Sequence, residues 1–209
     1  MSGRAPENAA RVRGVICAVV AEAVDAAEAA GVVVLEDWTP EGELVYEWLV
    51  DALGEARVWR GASVASNVHG TDPAEAQVLA ALRIAHERGG LIAHPAPKTT
   101  LLLGGAMPRA DLFPLGDLYA SQVVALAGGW SVPERLAPVI RRAGGIEAVD
   151  AALGRMLEGR EPITSALAPL GEEPAREIAR LYQHGRYFRL YPRLVPKLSA
   201  RTLGVDLFD

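Results

Sequence analysis

Residues 31–60, GVVVLEDWTPEGELVYEWLVDALGEARVWR, decide the fold. Val32 to Leu35 are consecutive branched or long apolar residues ending at Glu36 and Asp37, the pattern of a strand buried on both faces of a parallel sheet. Thr39 is suited to the N-cap and Pro40 to the first position of a helix that runs through ELVYEWLVDAL to Gly54. EARVWR, residues 55–60, then reads as a second short strand, which makes a β-α-β unit with a right-handed crossover. A strand buried on both faces requires helices on both sides of its sheet.

The flanking sequence supplies them. Upstream, residues 8–30 place apolar and polar side chains at helical spacing and stop at Gly31. Downstream, GASVASNVHGT at 61–71 is a turn-rich loop, and a helix opens at Asp72-Pro73 and runs to Gly89. GLIAH is the third strand, after which Pro95 and Pro97 forbid regular pairing and KTTLLLGG begins another short apolar element. From residue 117 onward the pattern is helical, punctuated by Gly and Pro. The expectation is an α/β fold: a doubly wound parallel sheet of about three to five strands in residues 8–127, followed by an all-helical part, 128–209, within one domain spanning 1–209. In such sheets ligands bind beyond the carboxyl ends of the strands, so the residues after Leu35, Trp59 and Ala93 are where a site belongs.

Composition narrows the function. Half of the 209 residues are hydrophobic and 22% are charged, a balance that supports a folded core, and the net charge of -5 argues against a nucleic-acid ligand. No apolar stretch reaches the about 18 residues of a membrane span and no signal core opens the chain, which points to a cytoplasmic protein with no membrane partner. The lone Cys17 has no disulfide partner and reads as a packing residue. The four histidines, at 69, 86, 94 and 184, have no ligand spacing, so no metal site is expected from them.

Among the remaining motifs the most specific is ADLFPLGDLYASQVVALA at 110–127, in which a Pro-x-Gly-Asp turn enters a helix and Asp117 is placed to cap it. Read from the residues alone, that turn is ordinary loop-to-helix chemistry. The stretch also resembles a segment of the NAD synthase family, approximately Asp-x-x-Pro-Ile-Gly-Asp-Leu-Tyr-Lys-Thr-x-Val, with matches at Asp111, Pro114, Gly116, Asp117, Leu118, Tyr119 and Val123. PAPKTTLLLG at 95–104 is similar to the family's Gly-Asn-Lys-Ser-Glu-x-x-x-Gly, keeping Lys98, the hydroxyl of Thr99, and Gly104. The Glu that the resemblance assigns to Mg²⁺ is Thr100 here. RYFRLYPRLVPKLSARTLGVD at 186–206 is similar to the family's closing stretch, matching at Lys197, Ser199, Gly204 and Asp206. The resemblance gives Lys197 and Ser199 the holding of phosphates, which suits an ammonium beside a hydroxyl among several arginines. A basic C-terminal cluster taken by itself reads more often as a solvated surface than as an anion site.

One block departs. The family carries Ser-Gly-Gly-x-Asp-Ser after its first strand, where backbone N–H groups cradle a pyrophosphate. Residues 36–43 here are Glu-Asp-Trp-Thr-Pro-Glu-Gly-Glu, bulky and negative. The resemblance therefore implies a Rossmann-like member with a degenerate loop, keeping a homodimeric scaffold and a nucleotide or phosphate pocket formed by Lys98, Thr99, Asp111, Asp117, Lys197 and Ser199, without efficient catalysis. The alternative it leaves is an active ammonia-dependent synthase that amidates deamido-NAD, with ATP and Mg²⁺ bound at an altered site.

Overall fold

The computed structural model describes residues 9–36, 38–61, 73–104, 110–189 and 195, with the backbone alone at 73–75, 77 and 186–189. Helix α1 spans Ala9–Ala26, strand β1 Val32–Val34, helix α2 Pro40–Leu53, strand β2 Val58–Arg60, helix α3 Pro73–Arg88 and strand β3 Leu91–Ala93. The strands form one parallel sheet in the order β2-β1-β3, with Val33 opposite Trp59 on one side and Ile92 on the other. The chain leaves β1 toward β2 and then crosses to β3 on β1's far side, so the sheet is doubly wound about β1.

Alternation along β1 shows why its sequence is apolar throughout. Val32 and Val34 pack with Ile16 and Val20 of α1 and Val45 and Leu49 of α2, whereas Val33 and Leu35 pack with Ala81 and Ala85 of α3. All three β1 residues are buried completely. Thr39 caps α2 as its sequence suggests: its Oγ1 accepts from the Gly42 N–H at 3.0 Å and donates to the Glu36 carbonyl at 2.8 Å.

Several boundaries are shorter than the sequence patterns. Helix α1 ends at Ala26 rather than running to residue 30, because Glu28 takes a left-handed turn (φ 51°) and Ala29 folds back into the core. Residues Glu55–Arg57 form a 3-10 turn, leaving β2 only its last three residues. Of the loop expected at 61–71, residues 62–71 lie outside the described residues.

After β3 the chain is helical: α4 Lys98–Leu102, α5 Ala120–Ala127, α6 Ala137–Arg142, α7 Ile146–Leu157, α8 Ile163–Leu167 and α9 Glu172–Arg189. These helices close a second apolar core around Leu101, Leu102, Phe113, Leu136, Leu153, Leu167 and Ile178. Between α4 and α5, residues Asp111 and Leu112 run alongside β3: both backbone N–H groups donate to the Ile92 carbonyl, and Leu112 forms a parallel bridge with Ala93.

Asp117 does not cap α5, contrary to the sequence expectation. The N-cap is Tyr119, whose backbone N–H donates to Gln122 Oε1 at 2.9 Å, and the open N–H groups of the first turn of α5 are satisfied from other elements. Thr99 Oγ1 accepts from the Ala120 N–H at 2.9 Å and Asp150 Oδ2 from the Ser121 N–H at 2.7 Å. Asp117 is turned inward, where it neutralises a buried lysine.

Candidate functional site

Winding the chain both ways from β1 separates the connections that leave β1 and β3, and a crevice opens between them at the strands' carboxyl ends. A cavity of about 810 Å³ occupies it, lined among others by Glu36, Trp38, Thr39 and Glu41 after β1, His94 and Thr100 after β3, and Trp130 and Arg135 between α5 and α6. This volume falls in the range of small-molecule sites.

The floor is built by the α2 entrance. Glu36 occupies a left-handed turn (φ 51°), which aims its carboxylate at His94, with Oε1 3.7 Å from Nε2. His94 is buried against Phe113, and its Nδ1 accepts the Ala96 N–H at 3.0 Å, so in the neutral ring the proton resides on Nε2, facing Glu36. Glu41, only 2% exposed, accepts the Ser131 N–H on both carboxylate oxygens at 3.1 Å. Burial, and then the charge of Glu41, push the Glu36 carboxyl up to about 7; burial likewise raises Glu41, against the hydrogen bonds it accepts. The opposite wall carries Thr100, 5% exposed, whose hydroxyl has no hydrogen-bond partner among the described residues.

Behind this cavity lies a separate polar cluster. Lys98 opens α4, and its Nζ, 1% exposed, donates to Asp117 Oδ1 at 3.2 Å and Glu158 Oε1 at 3.4 Å while lying 5.1 Å from the Tyr119 ring centre. Thr99 donates to Asp150 Oδ1 at 2.5 Å. Burial, reinforced by Glu158, Asp150 and Asp117, raises Tyr119 so that it stays a phenol. Of the residues expected to hold phosphate, the structure thus brings Lys98, Thr99 and Asp117 together, but in the protein interior, and none of the three lines the cavity. Asp111 stands apart at the sheet edge, where Oδ2 accepts the Ile92 N–H at 2.9 Å. Lys197 and Ser199, like Asp37, lie outside the described residues.

Sequence reasoning missed His94, Thr100, Trp130, Asp150 and Glu158 as site residues. His94 carried a local indication, directly after the third strand, and Thr100 one as the position that departs from the resembled block; Trp130 comes from the stretch between α5 and α6, and Asp150 and Glu158 from the distant α7 and its C-cap.

The residues present do not fit the group that the resemblance implies. A nucleotide phosphate at the α2 N-terminus needs open N–H donors, yet the Gly42 N–H is held by Thr39 and the approach is lined by Glu36 and Glu41. Mg²⁺ needs oxygen ligands in number, and no cluster of three candidate ligand side chains occurs among the described residues.

The fold and its switch-point crevice define a Rossmann-like α/β protein. The fold agrees with a solved structure, the NH3-dependent NAD synthetase from Campylobacter jejuni in complex with the nitrate ion, at a TM-score of 0.61 over 89% of this chain and 98% of that one, with 16% identity. In sequence, the chain is 31% identical over 165 residues, 70% of its length, to the NH(3)-dependent NAD(+) synthetase of Chlorobium phaeobacteroides, and 33% identical over 151 residues, 64% of its length, to that of Chlorobium phaeovibrioides. No family model matches the chain. The chain belongs to the NAD synthase family, as a divergent member. The matches cover 59% and 54% of those two relatives, so the chain spans little more than half of their length.

Proposed function

We propose that this protein is a degenerate NAD synthase relative that does not perform ATP-dependent amidation and uses the switch-point crevice to bind a small molecule. The observation that carries the reading is the closed entrance of α2. Thr39 occupies the Gly42 N–H, Glu41 occupies the Ser131 N–H, and the space before the helix is bordered by carboxylates rather than by free backbone donors.

Adenylation of a carboxylate by ATP develops negative charge on phosphate oxygens, and catalysis requires positive or hydrogen-bond-donating groups already aimed at them. Glu36 and Glu41 would oppose that charge at short range. Thr100 replaces the carboxylate that the resemblance assigns to Mg²⁺, and a neutral hydroxyl is a poorer ligand for a hard divalent ion. Lys98, which matches the lysine of the family's Gly-Asn-Lys-Ser-Glu block, is committed to Asp117 and Glu158. A homodimer belongs to the same reading and rests on the family likeness.

The test is steady-state turnover with deamido-NAD, ATP, Mg²⁺ and ammonia, following AMP and NAD. The expected result is release no faster than without protein. AMP release that requires both deamido-NAD and ammonia contradicts the reading.

A further inference from the structure

We propose that the crevice beyond β1 and β3 is a binding site for an organic cation, a small molecule that joins a protonated amine to an aromatic body. The inference rests on the reading above that this crevice has ceased to hold phosphate, and it names the class of ligand held instead.

Charge and burial point that way. Glu36 and Glu41 reach the cavity from the same turn, and among the described residues neither forms an ion pair with a lysine or arginine. Glu41 is buried and Glu36 partly so, carboxylates withdrawn from water without a basic side chain beside them are costly, and a ligand ammonium supplies the opposite charge. Both carboxyl groups are displaced upward, by burial first and, for Glu36, then by the charge of Glu41.

A second, independent observation is Thr100. Its hydroxyl is buried, lines the same cavity from the α4 side and has no hydrogen-bond partner among the described residues, so a polar group of the ligand can satisfy it. Thr100 can accept from an ammonium that also reaches the carboxylates, and an ammonium has three donors to distribute. Aromatic surface completes the site: Trp38, 58% exposed, and Trp130 border the opening, and indole faces favour both a cation and a flat ring. The remaining charged groups of the lining are Glu134 and Arg135, so carboxylates outnumber the basic side chain. A bare metal ion is a weaker candidate, since no cluster of three ligand side chains occurs among the described residues.

The experiment uses the full chain and three probes of one shape, benzylamine, benzyl alcohol and benzoate, titrated calorimetrically at pH 8, with ATP and Mg²⁺ titrated in parallel. Benzylamine is expected to bind at least about tenfold more tightly than benzyl alcohol, and benzoate not at all. Glu36→Gln, at a partly exposed position that folding tolerates, should weaken benzylamine about tenfold, and Thr100→Val should weaken it by about threefold. Benzyl alcohol binding as tightly as benzylamine, benzoate binding, failure of benzylamine to bind, or unchanged affinity in Glu36→Gln overturns the assignment. If ATP displaces benzylamine, the reading of the crevice itself fails; if amine and ATP are both silent, only the organic-cation assignment fails.

Discussion

Lys98 shows how a residue matching a phosphate-binding motif can be engaged elsewhere. An ammonium 1% exposed is tolerated only beside opposite charge, and Asp117 and Glu158 supply it. Lys98→Met would remove the ammonium beside the buried Asp117 carboxylate, at a cost of about 3–5 kcal/mol. Urea unfolding should show this loss, and adding Asp117→Leu should recover most of it; a single variant as stable as the parent would show that the pair is not structural. Glu36 makes a second prediction at this scale. Its folded carboxyl, at about 7, holds a proton more tightly than the ordinary group at 4.5, so the stability it contributes is full below pH 4.5 and is lost as pH rises through about 7. Glu41 shifts in the same direction. With 38% of the Glu36 side chain exposed, solvent keeps the effect modest. Melting temperatures from pH 4.5 to pH 8 should fall less steeply in Glu36→Gln than in the parent, and the variant should melt higher at pH 8. Parallel curves would refute the assignment.

Helix α9 crosses the end of α4 at a point where only glycine fits. A Cβ on Gly185 would meet the Leu102 carbonyl oxygen at 2.6 Å and the Gly104 nitrogen at 2.8 Å, both backbone atoms that cannot rotate away. Gly14 in α1 offers the contrast, with nothing within 4 Å of an added Cβ. Gly185→Ala should therefore destabilise by about 1–3 kcal/mol through overpacking, and Gly14→Ala should stabilise by about 0.5–1 kcal/mol through helix propensity. Thermal unfolding reads both, and equal signs would contradict the packing described. The elements also show what was legible in the chain. Val32–Val34 and Thr39-Pro40 announce their strand and helix because burial on two faces and capping are local properties. The segment ITSALAPL was not recognised as containing α8, since Pro162 and Pro169 crowd a helix of only five residues. Site assembly was less readable: Thr99 meets Asp150 across 51 positions, Lys98 meets Glu158 across 60, and Ser131 meets Glu41 across 90. Periodicity carries no information over such separations. Asp117 was misjudged as a cap for the same reason, because the lysine that claims it is 19 positions away.

At the scale of the molecule, the sheet order β2-β1-β3 places one crevice at its switch point, and the identity of the side chains there decides what the protein can bind. The family's fold persists while the chemistry of the α2 entrance is changed. Among the described residues no helix is long and apolar enough to cross a membrane. The homodimer we propose should appear in sedimentation equilibrium as a single species of twice the chain mass, and a monomer at micromolar concentration would remove it from the account. The most direct test of the central claim is calorimetric titration of the full chain with ATP in the presence of Mg²⁺. With Thr39 and Glu41 closing the entrance and Glu36 facing it, no saturable heat is predicted up to about 1 mM nucleotide. Saturable binding at micromolar ATP, one nucleotide per chain, would contradict it.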